Sequence, residues 1–213
     1  MLILGVDCGH KSLGFCVVKH NKTWRAEHTD VYEKFIAKKL TVRETFEQFN
    51  KIYDSVFDIQ YMKIFDLIPG IKLENSTMEQ RAGGLKKVLK KFDKEYSNLD
   101  MVLIEYQLSA NFKTNELFNH IYFHYYGKYD VYSVGPSLKN TLEFSDECQY
   151  SIFAEKYAKP YDANKNHAKA NLKFWLKLFK KEHFLDGIKK TNYDDAADSF
   201  LTIVGFFVTQ PGF

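Results

Sequence analysis

Four carboxylates in this sequence stand where they could hold metal ions. Near the C-terminus the chain reads "TNYDDAADSFLTIVGFF", with Asp194, Asp195 and Asp198 directly ahead of a very apolar stretch. At about 100° per residue these three fall on one helix face, Asp194 at about 0°, Asp198 at about 40° and Asp195 at about 100°. Ala197, Phe200, Val204 and Phe207 point broadly the other way. Acidic residues favour helix N-termini, where they cap free N–H groups. One cap needs one aspartate, however, and three on a face exceed that need. Asp7 ends the apolar run "LILGVD" ahead of Gly9, where an ordinary turn aspartate would bond the backbone that follows. Glu105 ends the most apolar run of the chain, "MVLIE"; read alone, it is a strand end emerging into solvent. If the two strands are neighbours and the late helix packs on them, their two carboxylates meet an i,i+3 aspartate pair of the helix, and these four repel one another unless cations neutralise them. Hard oxygen ligands suit Mg²⁺ or Mn²⁺. Two such ions about 3.5–4 Å apart can activate a water and stabilise the departing oxygen of a phosphodiester.

The elements that must position these residues can be read from periodicity. Residues 2–7 and 13–18 are apolar runs bracketing Gly9, which predicts a hairpin. A third antiparallel strand is expected over the polar residues 23–32. Val42, Phe46, Phe49, Ile52, Tyr53 and Val56 recur at helical spacing and predict a helix within 41–66. A second helix is expected over about 76–97, opened by a capping signal of Ser76 and Thr77 with Glu79 and Gln80. The run 100–107, "DMVLIEYQ", reads as a strand buried on both faces. A helix over about 114–126 and a strand over 129–134 follow, then helices over about 165–182 and 194–208. Strands followed by helices in this order give an α/β arrangement with a mixed sheet.

The bulk numbers allow this and exclude other classes. The 213 residues suit one domain with a sizeable core, and 19 Phe and 14 Tyr make the chain rich in aromatics. Net charge is only +3, so any nucleic-acid surface must come from local clustering. Cys8, Cys16 and Cys148 have no zinc-like spacing and read as buried thiols in a reducing compartment. No run approaches the roughly 20 apolar residues of a membrane span. Met1 leads straight into a strand, which leaves no signal or transit peptide in this sequence.

Taken in order, these segments resemble the RuvC-type Holliday-junction resolvases of the RNase H-like, or retroviral-integrase, superfamily. "GVDCGHKSLGFCVV" is similar to the first strand and hairpin, "MVLIEYQLS" to the fourth strand, and "DDAADSF" to the closing helix. The resemblance covers nearly the whole chain and is nearest the branch found in poxviruses and other large DNA viruses. It implies a single domain over 1–213 with an RNase H-like fold: a mixed five-stranded sheet, three antiparallel strands then two parallel, flanked by helices. Residues 33–97 would be a helical elaboration. It also implies the activity: metal-dependent, symmetric hydrolysis at four-way DNA junctions by a homodimer, with two Mg²⁺ per site held by Asp7, Glu105, Asp195 and Asp198. Asp194 would be an accessory neighbour or cap. "YSVGPSLKNTL" resembles the segment whose proline precedes a functional lysine, here Lys139, and "NKNHAKANLKFWLKLF" the segment whose early lysine is Lys165. A poxvirus setting would place the protein in the host cytoplasm.

Helix angle separates the cations as well. Lys165, Lys169, Lys173, Lys177 and Lys181 recur every four residues, the pattern of a solvated face. Yet Lys165 and Lys169 lie nearest the buried direction set by Ala168, Leu172, Trp175, Leu176 and Phe179. Lys165 would also sit in the first turn of a helix starting at 165, where the dipole disfavours a cation. A phosphate bound at that helix end would supply a reason for it. Gln107, Asn111 and Lys113, in the polar stretch after Glu105, could border a DNA cleft. His120 and His124 have zinc-pair spacing but no third ligand nearby. Three other readings stay open. A relative cutting RNA–DNA hybrids would carry the same acids. "DCGHKSLG" resembles the first phosphate loop of sugar kinases and actin-like ATPases, but those folds need a second such loop and a longer chain. A non-catalytic junction binder would gain nothing from acids facing phosphate.

Overall fold

The computed structural model describes residues 1–37, 41–106 and 112–209. Its centre is a five-stranded mixed sheet in the order β3-β2-β1-β4-β5. Strands β1 (Leu2–Cys8) and β2 (Ser12–His20) form the expected hairpin, closed by the Gly9 N–H donating to the Ser12 carbonyl at 3.0 Å. Strand β3 (Phe57–Asp66) pairs antiparallel with β2. Strands β4 (Met101–Glu105) and β5 (Asp130–Val134) run parallel to β1. This is the RNase H-like sheet expected from the sequence, three antiparallel strands and then two parallel.

The third strand does not lie where it was expected. Residues 23–32 enter two short helices, α1 (Trp24–Glu27) and α2 (Thr29–Ile36). Trp24 is buried in the core there, and the residues around it lack the period-2 alternation that would hold a strand to the sheet. The strand comes from the end of 41–66 instead. Helix α3 (Val42–Val56), opened by a Thr41–Glu44 capping box, passes directly into β3. A bulge conceals β3 in the sequence. Pairing steps from Val17↔Tyr61 to Val18↔Ile59 and leaves Gln60 as the extra residue. Phe57, Ile59 and Met62 therefore face one core while Tyr61 and Phe65 face the other. The 2-then-3 spacing that results imitates a helix period.

The remaining helices are α4 (Met78–Glu95), α5 (Phe112–Tyr125), α6 (Ser137–Asn140), α7 (Tyr150–Lys156), α8 (Pro160–Leu178) and α9 (Tyr193–Thr209). The capping box of α4 is Thr77 with Gln80, within the predicted signal. Helix α8 begins five residues before the predicted start because Pro160 occupies its first turn, where a missing N–H costs nothing.

Helices α3, α8 and α9 cover one sheet face, against Ile3, Cys16, Val18 and Leu103; α4 and α5 cover the other, against Leu4, Val6, Phe15, Val102 and Ile104. Trp175 gathers Phe46, Tyr53, Phe57, Phe144, Phe179 and Phe200 around it, which accounts for much of the aromatic content. Cys8, Cys16 and Cys148 are free and buried. Among the described residues no helix is long and apolar enough to cross a membrane.

Helix α9 lies unusually close to the sheet. A Cβ on Gly5 would overlap the Ser199 carbonyl oxygen and come within 2.8 Å of Ile203 Cγ1; one on Gly14 would lie 2.6 Å from the Asp195 carbonyl oxygen. Ala196 and Ala197 are fully buried on the helix side of the same contact. Small residues on both partners thus let the acidic end of α9 descend onto β1 and β2.

Candidate metal centre

Asp7 and Glu105 are brought together by strand register. Ile3 pairs with Met101 and Gly5 with Leu103 in the parallel β1–β4 ladder, so the next residues on the same face are Asp7 and Glu105. Ile3, Met101 and Leu103 on that face all pack into the core beneath α9. Asp198, in the second turn of α9, completes the group: Asp7, Glu105 and Asp198 each offer a carboxylate oxygen within 4.8 Å of the others. It is the one such acidic or histidine-containing group among the described residues.

A lysine stands inside this group. Lys139 Nζ donates to Glu105 Oε2 at 2.8 Å and pairs with Asp198 Oδ2 at 2.7 Å. It is carried by the short helix α6, whose Leu138 backbone abuts Gly205 of α9; a Cβ at Gly205 would lie 3.2 Å from Leu138 C and O. The resemblance marks Lys139 as a functional lysine, and nothing in its spacing foretells a place between two carboxylates.

The electrostatics follow from burial and crowding. Burial, then the charges of Glu105 and Asp198, push Asp7 well above the usual carboxylate range; Lys139 opposes this and Asp195 adds to it. Burial also raises Glu105, with Lys139 opposing and Asp198 adding. Burial opposes the charge on Lys139, but Asp198, Glu105 and Asp7 outweigh it and hold the ammonium protonated.

Asp195 is not one of the three clustered acids. Its pKa is raised by burial, while a hydrogen bond from the Ser12 side chain favours the ionised form; Asp194 raises it further and Lys165 lowers it. Ser12 was not singled out from the sequence, where a lone hairpin serine carries no signal. Asp194 is buried and receives Lys165 Nζ. This changes the reading of Lys165, which lies in the second turn of α8 rather than the first. Its partner is a carboxylate of the chain, and the helix-end argument for a phosphate does not apply. Lys169 lies one turn further along α8, half-buried. Gln107 and Asn111 fall outside the described residues, as does the side chain of Lys113 at the start of α5. His124 Nε2 meets Asp93 Oδ2 at 2.8 Å, a local contact far in sequence from the acidic group.

No family model matches this sequence, and no curated protein matches it. Solved structures do. The fowlpox virus resolvase in complex with substrate Holliday junction DNA aligns over 100% of both chains, with a TM-score of 0.57 and 14% identity. Thermus thermophilus RuvC aligns over 97% of this chain and 95% of its own, with a TM-score of 0.52 and 14% identity. The T. thermophilus RuvC complex with a Holliday junction substrate aligns over 99% and 97%, with a TM-score of 0.51 and 11% identity. The chain has the fold of the RuvC-type resolvases. At these identities the likeness is one of backbone architecture, and the chemistry must be argued from this chain's own residues.

Those residues fit a divalent cation. Three carboxylates face a single ammonium, a deficit of two positive charges. Asp198 Oδ1 is buried without a hydrogen-bond partner among the described residues, an orphaned oxygen at the edge of the group. Such an atom costs free energy unless something electropositive meets it. The donor set is all oxygen, as Mg²⁺ and Mn²⁺ prefer.

Two expected results arise here. Between the usual carboxyl range and the raised values of Asp7 and Glu105, the folded chain binds protons that the unfolded chain has released. Stability from this site therefore falls as pH rises. Without metal, the protein is expected to melt higher at about pH 5 than at about pH 8, with Mg²⁺ recovering the loss at the higher pH. Thermal scans check this, and Asp7→Asn should flatten the dependence. Replacing Lys139 by methionine takes the ammonium away from the buried Glu105 and the half-buried Asp198. It is expected to cost about 3–5 kcal/mol in metal-free urea denaturation, and Mg²⁺ should return part of that.

Proposed function

We propose that this protein is a metal-dependent, structure-selective endonuclease that hydrolyses phosphodiesters symmetrically at four-way DNA junctions. The observation that carries the reading is the convergence of Asp7, Glu105 and Asp198 on one point of a resolvase fold. Asp7, Glu105 and Asp198, with Asp195 beside them, would hold Mg²⁺, two ions per site, with Mn²⁺ able to substitute. Bound there, the metal supplies Lewis-acid stabilisation of the phosphodiester and a more acidic attacking water. The chain's own residues do the rest. Strand register fixes Asp7 against Glu105, and α9 sets Asp198 across from them. Ser12 orients Asp195. Lys139 holds Glu105 and Asp198 in place and offsets part of their charge. Asp194 keeps the Lys165 ammonium near Asp195, where it can meet negative charge building on the phosphate.

A junction with two-fold symmetry needs paired nicks, and one chain carries one acidic group among its described residues, so the active form is a homodimer. The aromatic C-terminal end of α5 and the residue that follows it suit the contact. Phe123 and Tyr126 are 70% and 64% exposed, and Tyr122 stacks on Tyr126. A Phe123→Glu variant is expected to sediment as a monomer and to lose coordinated cleavage. In a large DNA virus the enzyme would resolve recombination or replication intermediates, in the host cytoplasm for a poxvirus.

The test compares three substrates under Mg²⁺: a four-way junction, an RNA–DNA hybrid and a linear duplex. Selective cutting of the junction is expected. Preference for the hybrid would assign the other RNase H-like activity, and binding without cutting would leave a junction-binding protein.

A further inference from the structure

The acidic centre creates a difficulty for its own substrate. Several carboxylates close to a phosphodiester repel it, and the chain's net charge of +3 offers little general attraction. A strand must therefore be gripped by cations at the rim of the site. The turn between α7 and α8, "EKYAKPYDANK", supplies them together with aromatic rings. Lys156, Lys159 and Tyr161 are exposed, and Lys156 Nζ lies 5.7 Å from the Tyr157 ring centroid. Tyr161 is 65% exposed in the first turn of α8. Its ring is 4.9 Å from Lys165 Nζ, the same ammonium that pairs with Asp194 next to Asp195. An edge of alternating lysine and tyrosine is thus continuous with the carboxylates through one lysine.

We infer that the α7–α8 turn is a strand-docking edge, on which Tyr161 stacks against a base unstacked at the junction's exchange point while Lys156 and Lys159 hold the flanking phosphates. The inference rests on the endonuclease reading and names the part of the substrate that this side of the site takes. An aromatic face accepts any base, so the edge gives grip and register rather than sequence preference. Buried tyrosines on α5 and in the core have packing to explain them; Tyr161 has its contact with Lys165 and an open face.

The test is binding of the full-length chain, in EDTA, to four-way junctions carrying 2-aminopurine at positions around the exchange point, beside a cleavage assay in Mg²⁺. Wild type is expected to change the fluorescence at one or two of these positions. Tyr161→Ala and Tyr161→Leu should each weaken binding about ten-fold, the scale of one lost stack, and abolish the fluorescence change. Tyr161→Phe should retain both. Lys159→Ala should reduce the salt slope by about one without altering the fluorescence. If wild type cuts junctions but Tyr161→Ala binds them equally well with the same fluorescence, the docking edge is wrong and the endonuclease reading stands. Loss in Tyr161→Phe as well would mean that the hydroxyl merely holds Lys165, which also overturns the inference. A wild-type chain that neither binds nor cuts junctions overturns both.

Discussion

Asp198→Asn is expected to lower junction cleavage at least about a thousand-fold while leaving junction binding within a few-fold of wild type. On the proposed reading the change removes one ligand of a charge-stabilising metal, worth several kcal/mol in the transition state. Asp198 is the most informative of the acids to change. One of its oxygens pairs with Lys139 at 2.7 Å and the other is buried without a partner among the described residues. Asparagine keeps the shape and removes the charge. Asp7→Asn should behave likewise. Asp195→Asn should do less, because Asp195 bonds Ser12 and lies outside the three clustered acids. A graded loss in which Asp195 matters as much as Asp198 would return it to the first rank of ligands. Single-turnover cleavage and a gel-shift assay separate these outcomes.

Gly5→Ala is expected to destabilise the protein by about 3 kcal/mol or more, the upper range for overpacking a tight core. The new methyl would strike the Ser199 carbonyl oxygen and Ile203 Cγ1, and the first of these cannot move without its helix. Urea denaturation measures the loss. Molecules that do fold should cleave poorly, because a raised α9 carries Asp198 away from Asp7 and Glu105. Gly83→Ala is the control. It lies within α4 with nothing inside 4 Å of the added Cβ, so the better helix former should stabilise by roughly 0.5–1 kcal/mol.

The two strand-borne acids were legible because buried strands announce themselves. An apolar run that ends in a carboxylate, as at Asp7 and Glu105, needs a reason for the charge. Asp198 was legible through angular spacing on α9 and through the alanines beside it. Lys139 was legible as a residue of interest and not in its role, because its place depends on α6 docking at Gly205, a contact between segments far apart in sequence. Strand β3 was lost to a bulge at Gln60 that breaks the period-2 signal. The start of α8 was lost because Pro160 was not read as a helix opener, and with it went the argument for Lys165. Asp194, expected as an accessory neighbour or cap, has a specific partner in Lys165.

The most direct measurement is cleavage of a supercoiled plasmid that extrudes a cruciform, with purified protein and Mg²⁺. Two coordinated nicks across the junction convert the plasmid to a linear form with ends mapping symmetrically about the exchange point. Linear product that disappears with EDTA and with Asp198→Asn is the predicted result. No metal-dependent cleavage, or cleavage that Asp198→Asn leaves intact, would contradict the account.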